Sequence, residues 1–198
     1  MLIIGGSAAG LSCTLILGSA VHKPFANNKK IGIVAHQKSS ALNEALLNNV
    51  LGFKKGTRGD QVLADGLNQL SELYPHVIQI EKEKVTKIEG EFPNFWVFTT
   101  KNSYKTKTVV VAVGPSNLFS IEGLMQYVIP HRSLPPQKER VMLKNSNHLV
   151  AEGIYVAGVL AGWRSQFAIA AGSGAQVATD ILTVWNDGNH SMVHDSIF

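Results

Sequence analysis

The residues best suited to chemistry lie at the start of this chain. Gly5-Gly6-Ser7-Ala8-Ala9-Gly10 follows the apolar run Leu2-Ile3-Ile4 and opens a stretch of small and aliphatic residues. A strand, a glycine turn and a helix in that order form a dinucleotide fingerprint. Gly5 permits the tight turn, the amides at the helix start face a pyrophosphate, and Gly10 lets helix and strand pack closely. Two positions depart from the pattern. Ser7 stands where a second glycine is usual. After the next strand, "VAHQK" places Ala35, His36 and Gln37 where an acidic residue would accept from the adenosine ribose. His36 or Gln37 can hydrogen-bond a ribose, though less strongly than a carboxylate. A purely structural strand-to-helix turn is the competing reading.

Cys13 is the sole cysteine, so an intrachain disulfide, a C-x-x-C pair and a cysteine zinc site are all impossible in this chain. Redox chemistry must then reside in a bound cofactor or a partner. Cys13 itself falls in an apolar helix, where an inert core thiol competes with a reactive one. His190, His194 and Asp195 have metal-ligand spacing if the tail is helical, but a frayed terminus is the expectation and no metal site is assigned. His131 and Arg132, near "PPQKER", either meet an anionic substrate or belong to an exposed linker. Trp163 and Arg164 either shape a ligand pocket or cap the core, and Asn48 and Asn49 either approach a ligand or form a turn.

These groups need a scaffold, and the composition describes one. The 198 residues suffice for one well-buried domain, and 45% hydrophobic against 16% charged residues fits a globular α/β chain. The net charge of +4 favours an anionic ligand. The densest lysine group, "KNSYKTKT", reads as a solvated strand face, so no nucleic-acid partner is expected. "LSCTLILGSA" lacks the basic region of a signal peptide, and no run of about 18 apolar residues is recognised, so a cytoplasmic protein without membrane partners is expected.

"MLII", a helix from Ala9 to about Ala20 and the strand "KKIGIVA" make a βαβ start, interrupted by the long loop "VHKPFANNKK". Apolar residues at Val62, Leu63, Leu67, Leu70 and Leu73 predict a helix within Thr57 to Tyr74, stopped at Pro75. "VIQI", "KVTKIEG", "FWVFTT" and "YKTKTVVVAVG" follow as strands, the middle ones alternating as a half-exposed antiparallel meander. Residues 115 to 152, with Pro115, Pro130, Pro135 and Pro136, read as irregular. "GIYVAG" is the last buried strand, a helix runs from about Ser165 to Trp185, and Asn186 to Phe198 reads as a loose tail.

Four segments in this order, "LIIGGSAAGLS", "VTKIEG", "TKTVVVAVGPSNLFSIEGL" and "GIYVAGVLAGWRSQFAIAAGSGAQVATDI", resemble the FAD-binding half of the thioredoxin reductase family. The resemblance implies a single three-layer α/β, Rossmann-like domain with a central parallel sheet, a small antiparallel meander and helices. It implies FAD as cofactor, with Gly5, Gly6, Ser7, Ala8, Ala9 and Gly10 on the pyrophosphate and His36 and Gln37 near the adenosine ribose. Val85 would offer its backbone to the adenine, Ala112, Val113 and Gly114 would line the cofactor, and Asn48 would approach the flavin. Gly158 and Val159 stand where the family has a Gly-Asp that holds the ribityl chain. Gln166 and Phe167 fall against the isoalloxazine, at the start of a closing helix whose Ala168, Ala171, Gly172, Ala175 and Ala178 form a small-residue face.

The family inserts an NADPH domain with a redox cysteine pair between the Ala-x-Gly strand and the last FAD strand. Here residues 114 to 152 take its place, with no second fingerprint and no cysteine. Thioredoxin reductase activity is therefore not expected, for no dithiol can relay electrons. The resemblance implies a flavoprotein oxidoreductase served by a redox partner protein or a small-molecule electron donor, and by analogy a homodimer. A non-catalytic FAD or adenine-nucleotide module acting through a partner is the alternative. No residue is assigned as acid, base or nucleophile.

Overall fold

Alternation along three-residue strands builds the whole centre of the molecule. In the computed structural model, which describes residues 1–194, β1 (Leu2–Ile4) pairs in parallel with β2 (Gly32–Val34) on one side and β9 (Val109–Val111) on the other. Register sets Ile3 beside Ile33 and Val110, so these three point to one face, while Leu2, Ile4, Val34, Val109 and Val111 point to the opposite one. Both faces are apolar, as a sheet covered on both sides requires. The six strands run β12 (Leu149–Ala151), β13 (Ile154–Val156), β9, β1, β2, β5 (Ile78–Ile80), and all pair in parallel except the edge strand β12.

On the Ile3 face lie α1 (Ala8–Ser19), α2 (Gly59–Leu73) and α3 (Phe167–Trp185), which contribute Leu17, Leu63, Leu70, Val177 and Ile181 to one core. The other face is covered by the antiparallel meander β6 (Val85–Glu91), β7 (Asn94–Thr99) and β8 (Ser103–Thr106), through Val85, Ile88, Phe95 and Val97. The expected three layers are thus present. Each fully buried Ile or Leu contributes about 1.5–3 kcal/mol.

Helix α3 is the last major element, and its apolar character has a local reason. A Cβ at Gly174 would lie 2.0 Å from the Ala9 carbonyl oxygen, so α1 and α3 touch backbone to backbone. At 19 residues and mean hydropathy 1.3, α3 does reach the length and composition of a membrane span, which corrects the expectation that no run does. Its buried side, Val177, Ala178, Ile181 and Leu182, packs in the helical core.

Two further expectations need correction. Residues 115–152 are not wholly irregular: β10 (Val128–Pro130) and β11 (Val141–Leu143) form a hairpin, and β12 joins the sheet. Strands of three residues are too short to show a period, and Pro130 is tolerated at a strand end. The excursion closes on itself, since the Val141 amide donates to the Pro115 carbonyl at 3.1 Å. A second hairpin, β3 (Leu46–Leu47) with β4 (Thr57–Arg58), was not foreseen in the sequence. The tail is also more ordered than expected up to His194: Ser191 is buried, Asn186 Nδ2 donates to Ser191 Oγ at 3.1 Å, and Val193 packs on the helical core. Asp195 and the rest of the tail lie outside the described residues.

Candidate functional site

The glycine turn sits at the carboxyl end of β1, wedged between its neighbours. Gly5 has φ +113°, and a Cβ there would lie 2.5 Å from the Ala112 carbonyl oxygen; at Gly10 it would lie 1.8 Å from the Gly5 carbonyl oxygen. Only glycine fits either position. Ser7 is accommodated because its backbone is extended (φ −97°, ψ −170°). Its hydroxyl makes no cap for α1 and instead shares a hydrogen bond with Ser40 Oγ at 2.8 Å. The first-turn amides of α1 are therefore left without a side-chain acceptor, carrying about half a positive charge at the helix start.

Gln37 follows β2 with its side-chain amide already engaged. Nε2 donates to the Gly6 carbonyl at 2.5 Å and to the Leu63 carbonyl at 3.3 Å. It ties the glycine turn to β2 and α2, so its contribution at this edge is positional. His36, by contrast, is exposed. Ala35, His36, Gln37 and Lys38 form one wall of a cleft of about 570 Å³ whose other walls are Leu67, Glu81, Lys82, Lys84 and Thr100. Val85 is buried at the start of β6, directly after Lys84 on the rim of this cleft.

The β5–β6 turn that carries Lys82 and Lys84 is held by one carboxylate. Glu83, only 7% exposed, accepts hydrogen bonds from Thr99 Oγ1 (2.5 Å), Asn102 Nδ2 (2.7 Å) and Tyr104 OH (3.1 Å) of the meander. These donors, the Thr99 hydroxyl foremost, hold its carboxyl below the ordinary value. Lys82 adopts φ +58°, a left-handed conformation maintained between β5 and this anchored residue.

At the far end of the sheet, Gly158 follows β13 with φ +75°, and its amide donates to Ser173 Oγ of α3 at 2.8 Å. A Cβ on Gly158 would lie 2.9 Å from the Ala9 Cβ, so this turn abuts the start of α1. Val159 offers its carbonyl to His131. The Ser133 amide donates to His131 Nδ1 at 3.1 Å, so Nε2 carries the proton and donates to Val159 O at 2.8 Å. Arg132 Nε and Ser133 Oγ both donate to Gly162 O, at 3.2 and 3.1 Å, and the Arg132 guanidinium lies 5.4 Å from the Trp163 ring centroid. His131 is thus buried, and with Arg132 it braces the 158–162 turn. Arg132 itself is exposed and reaches this turn through its Nε.

Gln166 caps no amide of α3 with its side chain, and Ala168 and Ile169 in the first turn are exposed, so this helix start is open as well. Phe53, from the loop between β3 and β4, packs edge-on against Phe167 at 5.2 Å. Asn48 lies exposed in the same loop with its Oδ1 accepting from the Gly56 amide at 2.8 Å, as a turn residue does. Ala112, Val113 and Gly114 run from buried to exposed along the edge between the two helix starts. Cys13 is fully buried, and burial raises its thiol far above the ordinary value, which makes it inert. Among the described residues, no three His, Cys, Asp or Glu side chains come together as metal ligands.

Sequence reasoning missed Lys38, Lys82, Lys84 and Glu83. "EKEK" directly after a predicted strand, opposite a second strand end without a carboxylate, was the available signal.

The sequence matches no protein-family model and no curated protein. Solved structures do share the architecture. A thioredoxin reductase from Gloeobacter violaceus is 13% identical with a TM-score of 0.74, the match covering 98% of each chain. An oxidoreductase from Agrobacterium tumefaciens is 15% identical with a TM-score of 0.70, covering 92% of this chain and 97% of its own. A ferredoxin-flavin thioredoxin reductase from Clostridium acetobutylicum is 15% identical with a TM-score of 0.68, covering 94% and 97%. At these identities the likeness establishes the fold, which is thioredoxin reductase-like and Rossmann-type.

Proposed function

We propose that this chain is a dinucleotide-binding oxidoreductase domain that holds FAD in extended form. The observation that carries the reading is the open start of α1, which lacks a side-chain cap and is cradled by glycines that admit no Cβ. Gly5 to Gly10 would bind the pyrophosphate, the cleft beside Ala35 to Lys38 would take the adenosine, and the amides of Gln166 to Ala168 would face the ring system. Bound FAD would supply reversible electron transfer at the ring, tuned by the positive end of α3. The fold likeness to thioredoxin reductases, one of them named for a flavin, supports this assignment. Residues 114–152 stand where that family inserts its nicotinamide domain, so electrons would come from a partner protein or a small molecule. With one cysteine the chain has no dithiol of its own.

A second reading is a non-catalytic adenine-nucleotide module. Val159, in place of a ribityl carboxylate, and the committed amide of Gln37 favour it. The visible spectrum of purified protein, before and after incubation with FAD, separates the two. A flavin spectrum that bleaches on anaerobic addition of NADPH, NADH or a reduced partner supports the redox reading. A colourless protein that cannot be reconstituted removes it.

A further inference from the structure

The adenosine cleft carries a charge pattern that an unmodified ribose does not explain. Lys38, Lys82 and Lys84 line it with one carboxylate, Glu81, and Glu83 lies buried between the two turn lysines, so three lysines and two glutamates leave a formal balance of +1. Among the described residues none of the three lysines has a carboxylate within 4 Å, since the only ion pairs join Arg58 to Asp60 and Lys87 to Glu89 and Glu122. Two of the three stand on a rigid mount, the turn anchored by Glu83 to Thr99, Asn102 and Tyr104. The third follows β2 immediately after Gln37, at the strand end where a ribose diol is normally met by a carboxylate and a phosphorylated ribose by a cation. A carboxylate at that end would repel a phosphate; here it is absent and the surrounding charge is positive.

We infer that the cleft takes an adenosine whose ribose bears a phosphate monoester, as in 2′-phosphorylated nicotinamide dinucleotides or 3′-phosphorylated adenosine carriers. The base would lie along the apolar strip of Ala35 and Leu67, and the phosphate would meet Lys38, Lys82 and Lys84. The inference rests on the dinucleotide-binding reading above, and such a ligand would compete with FAD for the same groove.

Calorimetric titration of the full chain at low salt tests it, with 5′-AMP, 2′,5′-ADP, 3′,5′-ADP and inorganic phosphate as probes. One of the two ribose-phosphorylated nucleotides should bind about tenfold or more tightly than 5′-AMP, with a preference that weakens as salt rises. Which of them wins identifies the dinucleotide or the carrier class. In the triple variant Lys38→Ala, Lys82→Asn, Lys84→Ala the preference should fall to about twofold or less. Asparagine tolerates the left-handed backbone of residue 82, and an unchanged near-ultraviolet circular dichroism spectrum confirms folding. Equal binding of 5′-AMP and both bisphosphates, alongside normal FAD reconstitution, overturns this inference alone. Inorganic phosphate binding as tightly as the nucleotides reduces the cleft to an anion patch and overturns it too. Failure of every nucleotide and of FAD overturns the dinucleotide reading with it.

Discussion

Replacing Gly174 by alanine tests how the two site helices are held together. The new Cβ would lie 2.0 Å from the Ala9 carbonyl oxygen, whereas ordinary contact begins at 3.4 Å, so α1 and α3 must part locally by the difference, 1.4 Å. The obstruction is backbone, which cannot rotate aside. Overpacking of this kind costs about 1–3 kcal/mol, and a gap of 0.5–1 Å along the rest of an interface forfeits roughly a quarter to a half of its contact energy. The cost therefore lies near 3 kcal/mol, offset by about 1 kcal/mol because alanine is the better helix former. A net loss of about 2 kcal/mol lowers Tm by roughly 4–8 °C in a domain of this size. Gly172, two residues earlier on α3, is the internal control: it is exposed, and a Cβ there meets nothing within 4 Å. Gly172→Ala keeps only the propensity gain and should raise Tm by roughly 2–4 °C. Thermal melts followed by circular dichroism read both variants. The two must move in opposite directions; a Gly174→Ala protein as stable as Gly172→Ala would refute the backbone contact. Since Ala9 belongs to the first turn of α1, Gly174→Ala should also weaken FAD binding, read by reconstitution.

Two further perturbations probe the supports of the site. His131→Ala strips the Val159 carbonyl and the Ser133 amide of their partners, so a loss of roughly 2 kcal/mol and of about 4–8 °C in Tm is expected, and a melt unchanged from the parent would show that the brace is idle. Glu83 has a carboxyl held below the ordinary value of 4.5, so its contribution is complete above about that pH and is lost as pH falls through the lowered folded value. Denaturant titrations from pH 6 down to pH 3 should therefore show a steeper loss of stability in the parent than in Glu83→Gln, and parallel curves would contradict the assignment.

The sequence disclosed the core of this fold because the strands around β1 are flanked by strong punctuation: Gly5 after Ile4, Gly114 shortly after Val111, Gly158 after Val156. Where a strand has only three residues and no glycine signal, as in β10 and β11, periodicity has nothing to count. The glycine turn was legible for the same reason, since Gly5 and Gly10 are sterically obligatory. The roles of Gln37 and His131 were not. Each side chain is chemically able to meet a ligand, and only in the fold do the Gly6 and Val159 carbonyls claim them. The lysines of the cleft were obscured differently, because Lys38 and Lys82 are more than forty residues apart and meet only through the pairing of β2 with β5.

The chain leaves the sheet after Val111 and returns to it at Leu149 with only β13 between the two points, since Val156 stands beside Val111 and its amide donates to the His148 carbonyl. A chain that leaves and rejoins its scaffold at nearby points can exchange what lies between them with little added closure entropy. Such a junction behaves as a socket: a hairpin can fill it, and so can a whole domain. The present occupant is not passive, because His131 and Arg132 reach from it to steady the 158–162 turn, so any replacement must bring its own brace.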